Sequence, residues 1–332
     1  VGFLILSAAL VSTLLTGAAT WYARRRDLLD HPGDRRSHTE PTPRGGGAGW
    51  VAAFLIFVGV YLLLAKTVSM TFPAVLAAGT AVLALLGWWD DHHDLDFRIR
   101  AAVQSVVSLL SVSVLAVAGV ISGWAPALAA FLFIAWMVNL YNFMDGSNGL
   151  AGFQGLFVSL VLAALFAGSG DWAGATIALV LAGSCAGFLP WNLGRARVFM
   201  GDVGSLALGF IVAALLVYGA GTAAFTLPVA LMITALFLVD ASLTLAVRIL
   251  RGERWYNAHR QHLYQRLIAR GWTHGRVLLA YQAVNLLLVL PGVVFGVNYP
   301  ERAWFTAAVL GLLLGLGWYL SIRKTELLAE AK

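Results

Sequence analysis

The chain has 332 residues, of which 60% are hydrophobic and only 11% charged, with a mean hydropathy of +0.82. That balance excludes a soluble globule around one core and implies an all-α, polytopic integral membrane protein. With 22 Lys and Arg against 16 Asp and Glu the net charge is +6, read here as a topogenic signal and not as a nucleic-acid surface.

A span needs about 20 apolar residues to cross the hydrocarbon. Eleven are predicted, near 2–22, 47–66, 70–89, 99–120, 124–143, 150–168, 172–190, 204–220, 223–247, 277–297 and 302–322. Pro228, near the start of the long ninth span, is expected to kink it. Arginines follow the first span and none precede it, the pattern of a retained anchor and not of a cleaved signal. Basic residues favour cytoplasmic loops. With the N-terminus outside and the C-terminus inside, every Lys and Arg except Lys66 and Arg302 falls on the inner side. The inner loops are then 23–46, 90–99, 142–151, 190–203 and 248–276. Cys185 stands alone inside a span and is expected to be a packing residue. No internal repeat is evident.

The first inner loop, within Asp30 to Trp50, reads DHPGDRRSHTEPTPRGGGAGW. Its prolines and the run Gly45, Gly46, Gly47 forbid a long helix and free the backbone to approach a ligand. Arg35, Arg36, His38 and Arg44 suit phosphate oxygens, or equally fix topology against lipid headgroups. The second loop, WWDDHHDLDFRIR from Trp88 to Arg100, gathers Asp90, Asp91, Asp94 and Asp96, a quarter of all acids in the chain. Carboxylates so crowded repel unless a cation sits between them. Mg²⁺, held by one or two carboxylates together with substrate phosphate oxygens, is the natural neutraliser; a solvated acidic loop is the plainer alternative. Arg98 and Arg100 follow, placed to hold a second phosphate.

The third loop, NLYNFMDGSNGLAG, puts Asn139 and Asn142 on one face of a helix end and follows them with Asp145 and Asn148 in turns. Amides and carboxylates of this kind read a nucleobase edge. In the fourth, FLPWNLGRARVFMGDVGSLALG, Asp202 opens the next span. There a carboxylate serves either as a helix cap or as part of a phosphate or metal dock. The fifth, NAHRQHLYQRLIARGW, spaces His259, His262 and Arg266 so that a short helix would align them on one face. Zinc fits this loop poorly, since no cysteine is near. Phosphate or sugar contacts fit better. Asp240 is the one acid in the span before it and is expected to face a polar interior.

These motifs, in this order, resemble the polyprenyl-phosphate N-acetylhexosamine-1-phosphate transferases, the membrane family that includes phospho-MurNAc-pentapeptide translocase and the enzymes starting O-antigen and teichoic-acid chains. The resemblance runs over about residues 24 to 276. It implies transfer of an N-acetylhexosamine 1-phosphate from a UDP-N-acetylhexosamine to undecaprenyl phosphate, releasing UMP, with Mg²⁺ or Mn²⁺ as cofactor. It implies Asp90, Asp91 and Asp202 as catalytic residues, with Asp91 and Asp202 holding the metal. His38, Arg44, Arg98, Arg100, Asn139, Asn142, Asp145, Asn148, Asn192, His259, Arg260, His262 and Arg266 would bind the substrates. The chain would act as one transmembrane catalytic domain over 1–332, in the cell inner membrane, with its active face in the cytoplasm. The lipid bilayer is its surroundings, no nucleic acid is expected, and a homodimer is a compatible assembly. Asn148 stands where the family often has a second aspartate, and Arg195 where a proline is common. The HRQHLYQRL form is more similar to the O-antigen or capsule branch, which handles UDP-FucNAc, UDP-QuiNAc or UDP-GlcNAc. Two other classes remain: a transporter using the carboxylates, which would call for repeats and a midplane site, and a glycosyltransferase that releases UDP.

Overall fold

The structure, a computed structural model, describes residues 2–30, 40–64, 71–93, 95–254 and 259–330. Arg35, Arg36, His38, Lys66 and Asp94 lie outside the described residues. Fourteen α-helices carry almost all of it: α1 Gly2–Arg25, α2 Gly47–Leu64, α3 Thr71–His93, α4 Phe97–Val117, α5 Trp124–Met144, α6 Leu150–Gly168, α7 Trp172–Asn192 and α8 Gly201–Gly221, then α9 Leu227–Ile233, α10 Ala235–Leu250, α11 Leu263–Ala269, α12 His274–Val284, α13 Leu290–Asn298 and α14 Ala303–Glu330. Among the described residues ten stretches are long and apolar enough to cross a membrane, and α9 with α10 makes an eleventh if the bent pair is one span. The protein is therefore a multi-pass membrane helix bundle, as its composition implies.

Helix α8 forms the axis. After Asp202 it carries no charge, and its residues are buried without a break from Val203 to Leu216. A helix apolar all round belongs in the interior, and α8 lies packed along α3 and α5. Glycine makes part of that approach close. A Cβ at Gly87 on α3 would overlap the backbone of Asp202, so this contact brings the α3 carboxylates to the start of α8. Around this centre α1, α2, α6 and α7 pack as a second group, and α9 to α14 close the other side. Leucines of the outer helices, Leu6, Leu10 and Leu14 on α1 and Leu312, Leu316 and Leu320 on α14, stay exposed. On a water-soluble protein these would be a liability; facing lipid tails they are unexceptional.

One expectation is corrected. Pro228 does not kink its span: it sits in the first turn of α9, where its missing N–H is no loss. The break falls instead at Thr234, where the chain turns by 77° into α10. Of the glycine run, Gly45 lines a cavity with Arg44 and Asp91, while the other two are engaged by backbone. Gly46 and Gly47 donate their N–H groups to the carbonyls of Phe199 and Met200, at 2.9 and 2.8 Å, and a Cβ at Gly47 would lie 2.5 Å from the Gly204 Cα. The short antiparallel pair β1 Leu29–Asp30 and β2 Thr42–Pro43 completes this seam, with Phe199 donating to the Pro43 carbonyl at 2.8 Å. The base of the first loop is thus stitched to the segment leading into α8.

Candidate active site

The last turn of α3 turns two carboxylates inward. Asp90 and Asp91 are each 5% exposed, although they lie in the last turn of an apolar helix that ends at His93. Asp91 reaches across to α8, where its two oxygens accept from the N–H groups of Asp202 and Val203, at 3.2 and 3.3 Å. These are free donors of a helix start, so Asp91 caps a helix it does not belong to. Gly201 permits this: its φ is +72°, and a Cβ there would stand 2.6 Å from the Asp91 carboxylate. Asp202 does not cap its own helix. Its Oδ1 accepts from the Asn142 amide at 2.8 Å, and its Oδ2 faces the Arg100 guanidinium at 3.5 Å. The same Arg100 nitrogen binds Asp90 at 2.6 Å, and Asp90 also accepts the Leu95 N–H at 2.6 Å.

Asp91, expected to share an ion with Asp202, accepts one backbone donor at each oxygen, just as Asp90 accepts from Leu95 and Arg100; each oxygen keeps a further lone pair, so all three carboxylates remain candidate cation ligands. Asp202 is the most reachable, its side chain 27% exposed. No group of three or more His, Cys, Asp and Glu forms a closed metal cage among the described residues. Two hard carboxylate oxygen donors at an open site fit Mg²⁺ or Mn²⁺, whose other ligands are water and phosphate oxygens. Asp96 of the motif stands apart, capping α4 through the Arg98 N–H at 2.7 Å. Arg98 itself is exposed beside the Phe97 ring and makes no ion pair with the acids among the described contacts. It is two residues from Arg100, and residues i and i+2 do not face each other on a helix. Arg44 comes to the other side of Asp91. Both line a cavity of about 270 Å³ with Tyr22, Trp88 and His92.

The third loop closes over this cluster. Asn142 binds Asp202 and the Ser205 hydroxyl at 3.0 Å. Asn139, a turn deeper, instead donates to Gln104 of α4 at 2.8 Å. Burial first, then the charges of Asp202 and Asp91, push the Asp145 carboxyl well above the usual carboxylate range. Asn148 donates to the Gly194 carbonyl at 2.8 Å. Asn192 is 3% exposed, with its oxygen accepting from Gly149 and its nitrogen donating to Val198, at 2.7 and 2.9 Å. Those amides hold the third and fourth loops together. Arg195 pairs with Glu40 of the first loop at the exposed rim.

The helical alignment expected for the fifth loop is not what forms. α11 starts only at Leu263, so His259 precedes it and His262 is its boundary residue, with Gln265 accepting the His262 N–H at 3.2 Å. The histidines nonetheless meet, ring centroids 4.8 Å apart, against Phe143. Arg266 donates through Nε to the Gln261 carbonyl at 2.9 Å, and Arg260 is half-buried between the histidines. Tyr264 donates its hydroxyl to the Phe143 carbonyl at 2.8 Å, beside Asn142, which joins this loop to the third.

Burial, then His262, Arg248 and Arg266, pulls His259 down to about 3. Burial foremost lowers His262 too, against the opposing pull of Asp240. Both rings are therefore neutral donors or acceptors at pH 7, not cations. An unfolded His binds its proton near pH 6.5, whereas folded His259 refuses it until about 3. In that window the unfolded state holds more protons, so this group's contribution is intact above pH 6.5 and is lost as pH falls. A His259→Gln variant is expected to lose less thermal stability than the parent between pH 6.5 and 5. Identical slopes in a thermal-shift titration would refute the burial of that ring.

Gln104, Ser205, Tyr264 and Asp240 were not expected at the site. Gln104 had a signal, four residues after Arg100 and hence on the same face of α4, and Asp240 stood out as the one acid in its span.

The sequence model of glycosyl transferase family 4 matches residues 73–220, the stretch holding the three carboxylates, Arg100 and Asn142. The chain is 32% identical over 315 residues to the decaprenyl-phosphate N-acetylglucosaminephosphotransferase of Mycobacterium tuberculosis (strain ATCC 25618 / H37Rv), covering 82% of this chain and 77% of that one. It is 29% identical over 326 residues to the undecaprenyl-phosphate alpha-N-acetylglucosaminyl 1-phosphate transferase of Escherichia coli (strain K12), covering 90% and 85%. With the protein of the latter name from Thermotoga maritima it shares 32% over 204 residues, 60% of each chain. The matched segment brings the motif residues to one end of the bundle, and the relatives align along most of the length. The chain therefore belongs to glycosyl transferase family 4, the polyprenyl-phosphate N-acetylhexosamine-1-phosphate transferases that its motifs resemble.

Proposed function

We propose that the protein, acting as one catalytic domain over 1–332, transfers an N-acetylhexosamine 1-phosphate from a UDP-sugar to undecaprenyl phosphate, forming the polyprenyl-diphosphate sugar and UMP and so initiating a cell-envelope glycan. The observation that carries this is the meeting of Asp90, Asp202, Arg100 and Asn142 at the ends of α3, α8, α4 and α5. A lipid phosphate attacking a diphosphate brings anions together, and such transfer is mainly positioning and charge neutralisation. Arg100 is placed to exchange its carboxylate partners for phosphate oxygens as substrates arrive. The charge of Asp90 and Asp202 is then free, and Mg²⁺ or Mn²⁺ bound there would neutralise the diphosphate and the departing UMP. Asp91 keeps α8 in register while this happens. The neutral His259 and His262, with Arg266, border the third loop where the nucleotide sugar would lie. An oxygen of the lipid phosphate forms a bond to the β-phosphorus, and the bond from that phosphorus to the bridging oxygen breaks, so UMP takes the electron pair.

The names of the relatives make UDP-N-acetylglucosamine the first donor to test, ahead of the FucNAc and QuiNAc nucleotides and of an O-antigen or capsule role. With purified protein in detergent, undecaprenyl phosphate and a UDP-sugar labelled in its β-phosphate, the label is expected in the lipid and UMP in solution. Added UMP should drive the reaction backwards, because the diphosphate bonds broken and formed are alike. Label retained in UDP would mean cleavage at the sugar carbon and would favour the UDP-releasing reading. Absence of any turnover, with cation flux in vesicles, would favour the transporter.

The active face is assigned to the cytoplasm, in the inner membrane, because that orientation leaves only Lys66 and Arg302 outside. Cysteines introduced at Asp171 and Glu301 are expected to react with an impermeant reagent on intact cells. A cysteine at Arg254 should not, and its labelling from outside would invert the assignment.

A further inference from the structure

Asp240 lies on α10 and is 2% exposed, yet it is far from bare. Its Oδ1 accepts from the Leu263 N–H at 2.8 Å, from the Trp318 indole at 3.1 Å and from the Thr244 hydroxyl at 3.4 Å. Its Oδ2 accepts from the Tyr281 hydroxyl at 2.6 Å. One carboxylate thereby joins four helices, α10, α11, α12 and α14. An apolar bundle does not need such a group for packing, and a buried acid is tolerated only when its oxygens are well satisfied. The donor that matters is Leu263. Its N–H belongs to the residue between His262, which lines the histidine loop, and Tyr264, whose hydroxyl ties that loop to the Phe143 carbonyl beside Asn142. The loop is therefore held at two adjacent residues: Leu263 by Asp240, and Tyr264 by the third loop.

We infer that Asp240 is a positioning residue that docks the histidine loop, residues 259–266, against the third loop, so that the C-terminal helices α12 and α14 set where the nucleotide-sugar side of the site stands. This rests on the proposed function for its kinetic consequence but not for its structural one. A carboxylate suits the task because all four of its partners donate. In Asp240→Asn the amide oxygen can keep Leu263 and Trp318 while the new NH₂ faces the Tyr281 hydroxyl, which can rotate to accept. In Asp240→Ala every partner is left without an acceptor.

The test uses the full chain in detergent with two measurements. In hydrogen exchange, Asp240→Ala is expected to lose protection over 263–269 while α8 stays protected, and Asp240→Asn to remain close to the parent. In kinetics, Asp240→Ala should raise KM for the UDP-sugar by about tenfold or more, the effect of losing a hydrogen bond to a charged group. KM for undecaprenyl phosphate should stay within about twofold, a split that a general loss of packing would not produce. Tyr281→Phe, which removes one donor and leaves the Leu263 contact, should shift the same KM by a few-fold, roughly one neutral hydrogen bond. Parent-like exchange in Asp240→Ala would overturn the docking. Lost protection with both KM values moved alike would overturn the positioning role and leave a structural strut. If the parent released no UMP from any UDP-sugar, the proposed reaction would fail, and the exchange measurement would still decide the docking.

Discussion

Asp202→Asn is expected to lower turnover by roughly two orders of magnitude or more, the usual effect of removing one key electrostatic group from an active site, while leaving the fold intact. The geometry separates the two effects. Asp202 contributes no cap to α8, because Asp91 accepts the free N–H groups there. The amide oxygen of asparagine can still accept from Asn142. Thermal stability should therefore change by less than about 1 kcal/mol, one neutral hydrogen bond at most. Asp91→Ala should behave differently, losing about 1–3 kcal/mol because two enclosed N–H groups are left without an acceptor. Asp171 caps α7 at the opposite end of the bundle, through the Gly174 N–H at 2.9 Å; Asp171→Asn should turn over like the parent. Near-normal activity in Asp202→Asn would remove this carboxylate from the site.

Much of this was legible in the sequence, for reasons that also explain what was not. The spans could be read because a membrane helix is a local property of about 20 consecutive residues. The acidic cluster could be read from charge crowding at the end of an apolar run, though not the inward turn of Asp90 and Asp91. Local signals ended there. The partner of Asp91 lies 111 residues away on α8, and nothing in either segment names the other. Arg98 and Arg100 look equivalent as letters, but the helical step separates them, and only Arg100 reaches the acids. The histidine spacing suggested a helix, but α11 begins only after His262, so the rings converge by loop geometry against Phe143 and not by periodicity. The glycine run was read as room for a ligand; Gly45 does line a cavity, while the approach of Gly47 to α8 had no signal in the sequence. Asp240 showed itself as an anomaly in an apolar span, and three of its four donors come from other helices.

Arg100→Ala is expected to be nearly as damaging to turnover as the loss of Asp202, about a hundredfold, because a guanidinium placed on phosphate oxygens supplies charge where the transferring group develops it. Its effect on stability carries more information. Without added divalent cation, Arg100 is the positive charge between Asp90 and Asp202, at 2.6 and 3.5 Å, and it is 35% exposed. Removing it leaves two carboxylates facing each other, a like-charge pair that resists joint ionisation. The variant should melt earlier in chelator by about 1–2 kcal/mol, between the values for exposed and for buried ion pairs. Added Mg²⁺ should then raise its melting temperature more than that of the parent, since a ligand that binds only the folded state stabilises it by mass action. Arg100→Lys, which keeps the charge without the planar fork, should restore stability in chelator but only part of the turnover. If Mg²⁺ stabilised both proteins equally, the cation would sit elsewhere than between Asp90 and Asp202. Arg100 would then serve the phosphates alone.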